Sequence, residues 1–439
     1  MGSLWERTAS LPTFPPLQGD KQTDVLIIGG GLAGVLTAYR LQQAGVDYVL
    51  VEQNRIGRGI TGGTTAKITA QHGLTYHRLL KSAGKERAKA YLTANLRAVE
   101  EYAALCRAIP CGFVRKDNTV YTCEDGRKIE NELAALERLG YEAHCPKETA
   151  VPFETAGVVS FPRQAQFHPL RFLGGIAAGL RIYEHTAVRQ LIGTTALTDN
   201  GKIRAQRVVV ATHFPFINKH GSYFLKMYQH RSYVLALEGA PLPEEMLVDD
   251  AKEGLSFRRA GKLLLLGGGG HRTGKQGGSY TELRQVTERY YPHATERAHW
   301  AAQDCMTLDG LPYVGRYAAT TPRLYVATGF NKWGMTGSMV AADLLRDLLT
   351  GRESPLQQVL SPSRSMLKPQ LLVNGFEAAA GYLSLTTRRC PHLGCALKWN
   401  PAEYSWDCPC HGSRFDRRGR LLDNPATGDL KHKKDGHRR

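Results

Sequence analysis

The apolar run DVLIIGGG (24–31) passes straight into glycines and then into helical periodicity from Leu32 to Ala44. A second apolar run, VDYVLVE (46–52), follows. This order spells a buried parallel strand, a helix and another buried parallel strand, one βαβ unit. Gly29, Gly31 and Gly34 form GxGxxG at the first turn, and Glu52 ends the second strand. A lone GxGxxG is weak, but one placed between strand and helix with an acid downstream is specific. Gly29 permits the tight turn, Gly31 lets backbone amides approach a pyrophosphate, and Gly34 lets helix and strand pack closely. The helix N-terminus adds a partial positive charge for the phosphates. Glu52 suits ribose hydroxyls and repels a 2′-phosphate, so the expected ligand is FAD or NAD rather than NADP.

At 439 residues the chain holds two to three domains. Helices are expected over 77–108, 126–139 and 339–351, and short buried strands at 207–212 and 323–329. Region 223–300 is rich in aromatic and β-branched runs and suggests an antiparallel sheet. GRGITGGTTAKITAQHG (57–73) has too few apolar residues for a core but many backbone and hydroxyl donors. With Gly62, Thr64, Thr65 and Ala66 it suits a flavin diphosphate and ring, and Ala211 ends a strand where backbone must approach a cofactor. FAD is therefore preferred. Here the chain resembles the D-amino-acid oxidase superfamily of FAD-dependent oxidoreductases, over about 20–352. Its DGLPYVGRY…LYVATGFNKWGMTGS (309–338) is similar to that family's closing flavin segment. The resemblance implies that Gly329, Gly334, Met335 and Thr336 lie by the isoalloxazine. It also implies an α/β architecture: a Rossmann-type FAD-binding domain (about 20–76, 155–215 and 301–352) with an antiparallel-sheet substrate domain (about 77–154 and 216–300), together 1–355.

Substrate residues are less sharply specified. His72 and Tyr76 follow the flavin loop. Arg231 and Tyr233 open a strand expected to floor the pocket, where an Arg could hold a carboxylate bidentately. Trp333 completes the catalytic candidates, with His271 and Lys332 as further ones. A satisfied structural role competes with each. GGGGHRTGKQ (267–276) is similar to a phosphate loop, but Gln276 stands in the Ser/Thr place. It is expected to be a loop edging the flavin pocket. Cys305 fits an incidental buried thiol better than a flavin linkage.

Four of the nine cysteines, Cys390, Cys395, Cys408 and Cys410, crowd near the C-terminus. Cys390-Pro391-His392 and Cys408-Pro409-Cys410-His411 form CxH and CxxH, a Cys and a His at ligand spacing on each of two loops. A Cys₂His₂ zinc site and a Rieske 2Fe–2S centre both use such donors. The alternation favours the second, and CPHLGC and CPCHGSRFD closely resemble the two Rieske ligand loops. The resemblance implies Cys390 and Cys408 on an inner iron, and His392 and His411 on an outer, exposed one. It further implies a Cys395–Cys410 disulfide and a Ser413 hydroxyl bonded to a cluster sulfur. Phe415 stands where high-potential members carry tyrosine. The expected small all-β Rieske domain (376–439, after a 356–375 linker) looks truncated. The stretch 371–389 is short for the strands that usually precede the first ligand loop.

A net charge of +17 comes from scattered Lys and Arg without a nucleic-acid motif, so the surface is expected to be solvated and no nucleic acid is expected as partner. No apolar run is long enough for a membrane span, and the opening residues lack an apolar leader core, so a cytoplasmic location is expected. A two-electron flavin joined to a one-electron cluster implies a converter. A small amine or amino-acid-like substrate would be oxidised, and an external one-electron acceptor, a protein or quinone, would be served. The alternatives are an electron-fed reductase running in reverse, or a non-catalytic redox carrier or sensor.

Overall fold

The computed structural model describes residues 2–217, 220–384 and 388–430. The basic tail KHKKDGHRR, expected to fray, lies outside them. In chain order, the elements that position the site are β1 (Lys21–Ile28), α1 (Leu32–Gln43), β2 (Tyr48–Val51), β3 (Gly201–Val210), β4 (Met227–Glu238), β5 (Leu263–Arg272), β6 (Thr295–Thr307), β7 (Leu324–Thr328), α2 (Gly334–Leu349) and α3 (Pro369–Leu383).

The first sheet is built on parallel strands in the order β7-β3-β1-β2. Its central residues, such as Val25 to Ile28 and Val208 to Val210, are buried, as apolar strands covered on both faces must be. α1 and α2 pack together on one side, where Arg40 Nε meets Asp343 Oδ1 at 2.9 Å. The second sheet is centred on antiparallel β6-β4-β5. It is mixed rather than wholly antiparallel, because Met246–Asp249 pairs in parallel with Val114–Thr122. Gly267 to Arg272, expected to be a loop, belong to β5: their backbone continues the ladder with β4.

The C-terminal region corrects another expectation. Residues 369–383 form α3 instead of strands, and the helix occupies the second half of the expected linker. Pro369 at its first turn and the FEAAAGYL run favour a helix there. Beyond it lies a small antiparallel sheet of Lys398–Asn400, Ser405–Asp407, Arg414–Phe415 and Leu421–Asp423. Among the described residues, no helix is long and apolar enough to cross a membrane.

Candidate active site and metal centre

A cavity of about 1040 Å³ lies where the two large sheets meet. Gly29, Gly31, Glu52, Thr64, Thr65, Ala211, Gly334 and Met335 line it. Gly34, Gly62, Ala66, Gly329 and Thr336, also expected at the cofactor, are not among the lining residues. A Cβ on Gly34 would fall 1.9 Å from the Gly29 carbonyl oxygen, so this glycine keeps α1 against β1. A Cβ on Gly31 would meet only Thr61 Oγ1, at 3.6 Å. Nothing in the protein demands a glycine there, and the open space is what a closely approaching diphosphate needs. α1 and α2 both begin at the cavity, so their free N–H groups face it. Glu52 accepts from Gly30 N at 2.7 Å and from Asn54 N at 2.9 Å, fixing the glycine turn, and burial raises its pKa.

The cavity floor has two faces. Trp300 Nε1 donates to the Gly63 carbonyl at 2.8 Å, and a Cβ on Gly63 would touch Ala302. This face of β6 therefore looks at the Gly/Thr loop. Across the ladder Ser232 opposes Ala302 and His230 opposes Asp304, and strand alternation puts all four on the same face. Arg231 and Tyr233 point the other way. The Arg231 guanidinium is ion-paired with Glu403 of the C-terminal region, and Tyr233 OH lies 2.9 Å from His271 Nε2. Both residues border the cavity, as expected, but their side chains are held by these partners on the face of the sheet away from the Gly/Thr loop. Tyr76, by contrast, is not in the lining: its ring stacks on Phe161 and its hydroxyl donates to the Ala70 carbonyl. His72 and Trp333 do line the cavity, stacked at 5.2 Å. Both His72 ring nitrogens are engaged, Nδ1 with Tyr91 OH and Nε2 with Thr69 O and Thr336 Oγ1. Burial pushes its pKa down to about 3, so it is a neutral, fixed wall.

The two cysteine loops close identically. Cys390 N donates to Cys395 O and Gly394 N to Cys390 O; Cys408 N donates to Ser413 O and Gly412 N to Cys408 O. This closure sets the two thiols side by side, and the Cys408 thiol, with help from the Ser413 hydroxyl, lowers the pKa of Cys390 against the pull of burial. His392 Nδ1 and His411 Nδ1 lie 3.3 Å apart. Sulfur thus gathers with sulfur and nitrogen with nitrogen, the division a two-iron centre requires. A single zinc would need all four donors around one point. Among the described residues, the one trio of close ligand atoms is Cys395, Cys408 and Cys410, and Cys395 is joined to Cys410 by a disulfide. Burial lowers His392 to about 4 and His411 to about 3, leaving neutral imidazoles able to take a metal. Phe415 is fully buried beneath the loops.

The expected exposure of the histidine side is corrected. His411 is 2% exposed and His392 half-buried, because the flavin-binding part covers them. Phe214 stands edge-on to both imidazoles, 6.4 Å from each. Gln229 Nε2 donates to His411 O at 3.0 Å and to Asn424 O at 3.1 Å, and Gln303 Nε2 to Gly412 O at 2.9 Å. These glutamines, Phe214, His230 and Asp304 escaped the sequence reading. Strand alternation would have separated His230 from Arg231, but no residue pattern says which parity faces the flavin loop.

The family profile described as FAD dependent oxidoreductase matches residues 24–348, and that of the Rieske [2Fe-2S] domain matches 363–434. The Rieske 2Fe–2S iron–sulfur protein YhfW of Bacillus subtilis (strain 168) is 34% identical over 492 aligned positions, covering 98% of this chain and 97% of that protein. The alignment is longer than this chain, so the relative has residues without counterpart here. Gamma-glutamylputrescine oxidoreductase of Escherichia coli (strain K12) is 23% identical, over 77% of this chain and 86% of its own. Glycine oxidase from Geobacillus kaustophilus shares the fold over 79% of this chain and all of its own, with a TM-score of 0.66 at 20% identity. L-proline dehydrogenase from P. horikoshii does so with a TM-score of 0.67 at 17% identity, over 79% of this chain and 98% of its own. With most of its length matched by one profile and its C-terminal part by another, the chain belongs to the FAD-dependent oxidoreductase family and carries a Rieske domain that binds a 2Fe–2S cluster.

Proposed function

We propose that the protein oxidises a small amine or amino-acid-like substrate in the cavity and passes the electrons singly, through the cluster, to an outside acceptor, a protein or a quinone. One observation carries this reading: the histidine side of the metal centre is seated on the sheet that floors the cavity. When bound, FAD supplies acceptance of an electron pair and the 2Fe–2S cluster supplies one-electron transfer.

The chain's own residues supply position. Gly29, Gly31, Glu52, Thr64 and Thr65 are assigned to the nucleotide side of FAD, and Ala211, Gly334 and Met335 to the ring side. Cys390 and Cys408 are assigned to one iron, His392 and His411 to the other. Phe214, fully buried, fills the space between the β3 end that lines the cavity and both imidazoles, and so excludes water from that path. Asn424 Nδ2 ties down the same segment by donating to Thr212 O and to Phe214 O. The amine class is supported by the names of the similar proteins, which act on a glutamylated diamine, glycine or proline. On this reading 1–355 form the oxidoreductase unit and 376–439 the cluster domain.

Anaerobic rapid mixing with a panel of amines and amino acids tests it. A member of the panel should bleach the flavin, and the cluster bands should change afterwards. Flavin reduction that proceeds only when a reductant enters through the cluster would overturn the proposed direction.

A further inference from the structure

The flavin-facing side of the β4–β6 ladder carries two side chains with nothing to bind. His230 is 1% exposed, yet neither ring nitrogen has a hydrogen-bond partner. Asp304 lies directly opposite it in the ladder, and among the described residues its carboxylate has no hydrogen-bond or ion-pair partner. Both line the cavity. Buried polar groups are ordinarily satisfied, and a bare imidazole beside a bare carboxylate is costly unless a ligand completes them. The cations nearby do not complete them. Arg231 leaves on the opposite face to meet Glu403. Lys332 Nζ reaches the Lys252 carbonyl at 3.5 Å and forms no ion pair with Asp304. Lys332 and its neighbour Asn331 both hold left-handed backbone, with φ of 72° and 51°, just ahead of α2. Such strain in non-glycine residues gathers at ligand sites.

We propose that Asp304 and His230 form the subsite for the substrate's amino group. Asp304 takes an ammonium N–H and a His230 ring nitrogen accepts a second. The substrate class is then a small cationic amine for which an α-carboxylate is not required, since Arg231 is already paired with Glu403 and Lys332 Nζ is engaged by the Lys252 carbonyl. This inference rests on the function proposed above and names its substrate class.

The test uses the full-length holoenzyme and three matched probes: ethylamine, alanine and propionate. Binding is read from perturbation of the flavin spectrum under anaerobic conditions, and reduction from its bleaching. Ethylamine should bind at least as tightly as alanine, and propionate only weakly. Asp304→Asn should weaken ethylamine at least about 10-fold, as loss of a charge-assisted hydrogen bond does, with little change for propionate. Asp304→Glu should recover part of that loss. Tighter binding of alanine than ethylamine to the unaltered protein overturns the class and needs no variant. Equal ethylamine affinity in Asp304→Asn, with flavin content intact, overturns the subsite alone. If no amine or amino acid binds or bleaches the flavin, the proposed function itself fails.

Discussion

Removing Gln229 and Gln303 together should uncouple the two redox sites while leaving the four ligand side chains and the glycine motif in place. Both glutamines are buried, and both spend their side-chain N–H groups on backbone carbonyls of the cluster domain: His411, Asn424 and Gly412. In a Gln229→Ala, Gln303→Ala double variant those three carbonyls lose their donors. A buried acceptor left unsatisfied costs about 1–3 kcal/mol, so docking weakens by about 3 kcal/mol at the low end, roughly a 100-fold shift toward the undocked arrangement. Arg272 Nε to Pro409 O and the Asn424 contacts persist, so the domains remain associated some of the time. The assay is single-turnover transfer from reduced flavin to oxidised cluster, with EPR of the reduced cluster as a check that its ligands are in place. Transfer should slow by at least about 10-fold while the EPR signal is retained. Unchanged transfer with intact EPR would show that the docked contact is irrelevant to electron flow.

Three further outcomes are expected. His411→Ala should abolish the rhombic EPR signal and lower the iron content while leaving flavin absorbance, and an unchanged spectrum would refute the ligand assignment. Gly34→Ala should cost the protein its FAD, because the new methyl would sit on the Gly29 carbonyl and push α1 off β1; flavin content after purification measures this. Glu132 is buried, which drives its pKa up to about 7 even though Tyr76 N and His77 N donate to it. Between its ordinary value of 4.5 and about 7 the folded state keeps a proton that the unfolded state has released. Stability should therefore fall as pH rises through that window, by up to about 3 kcal/mol, and Glu132→Gln should flatten the dependence of Tm on pH.

The glycine motif and the two cysteine loops were legible because their chemistry is local. Gly31 and Gly34 act through one turn, and each loop closes on itself within five residues. The antiparallel core of the second sheet was legible from its apolar runs. Arg231 borders the cavity as expected, but its engagement was not legible, because the alternation of a strand shows which residues share a face but not what that face meets. Its partner, Glu403, comes from more than 170 residues away. Tyr76 was misplaced for a related reason: nearness in sequence to the flavin loop does not stop a helix start from turning its ring into the core. α3 was hidden by analogy, since strands were expected where an Ala-rich run after Pro369 favours a helix. The burial of His411 could not be read at all, because it depends on how one part of the chain lies against another.

Freeze-quench EPR of the oxidised, anaerobic holoenzyme mixed with a reducing amine tests the joint most directly. The expected result is a rhombic 2Fe–2S signal that grows in after the flavin bleaches, rising toward one spin for each chain as each reduced flavin gives the cluster one of its two electrons. A fully bleached flavin beside a cluster that stays oxidised and silent would contradict the account.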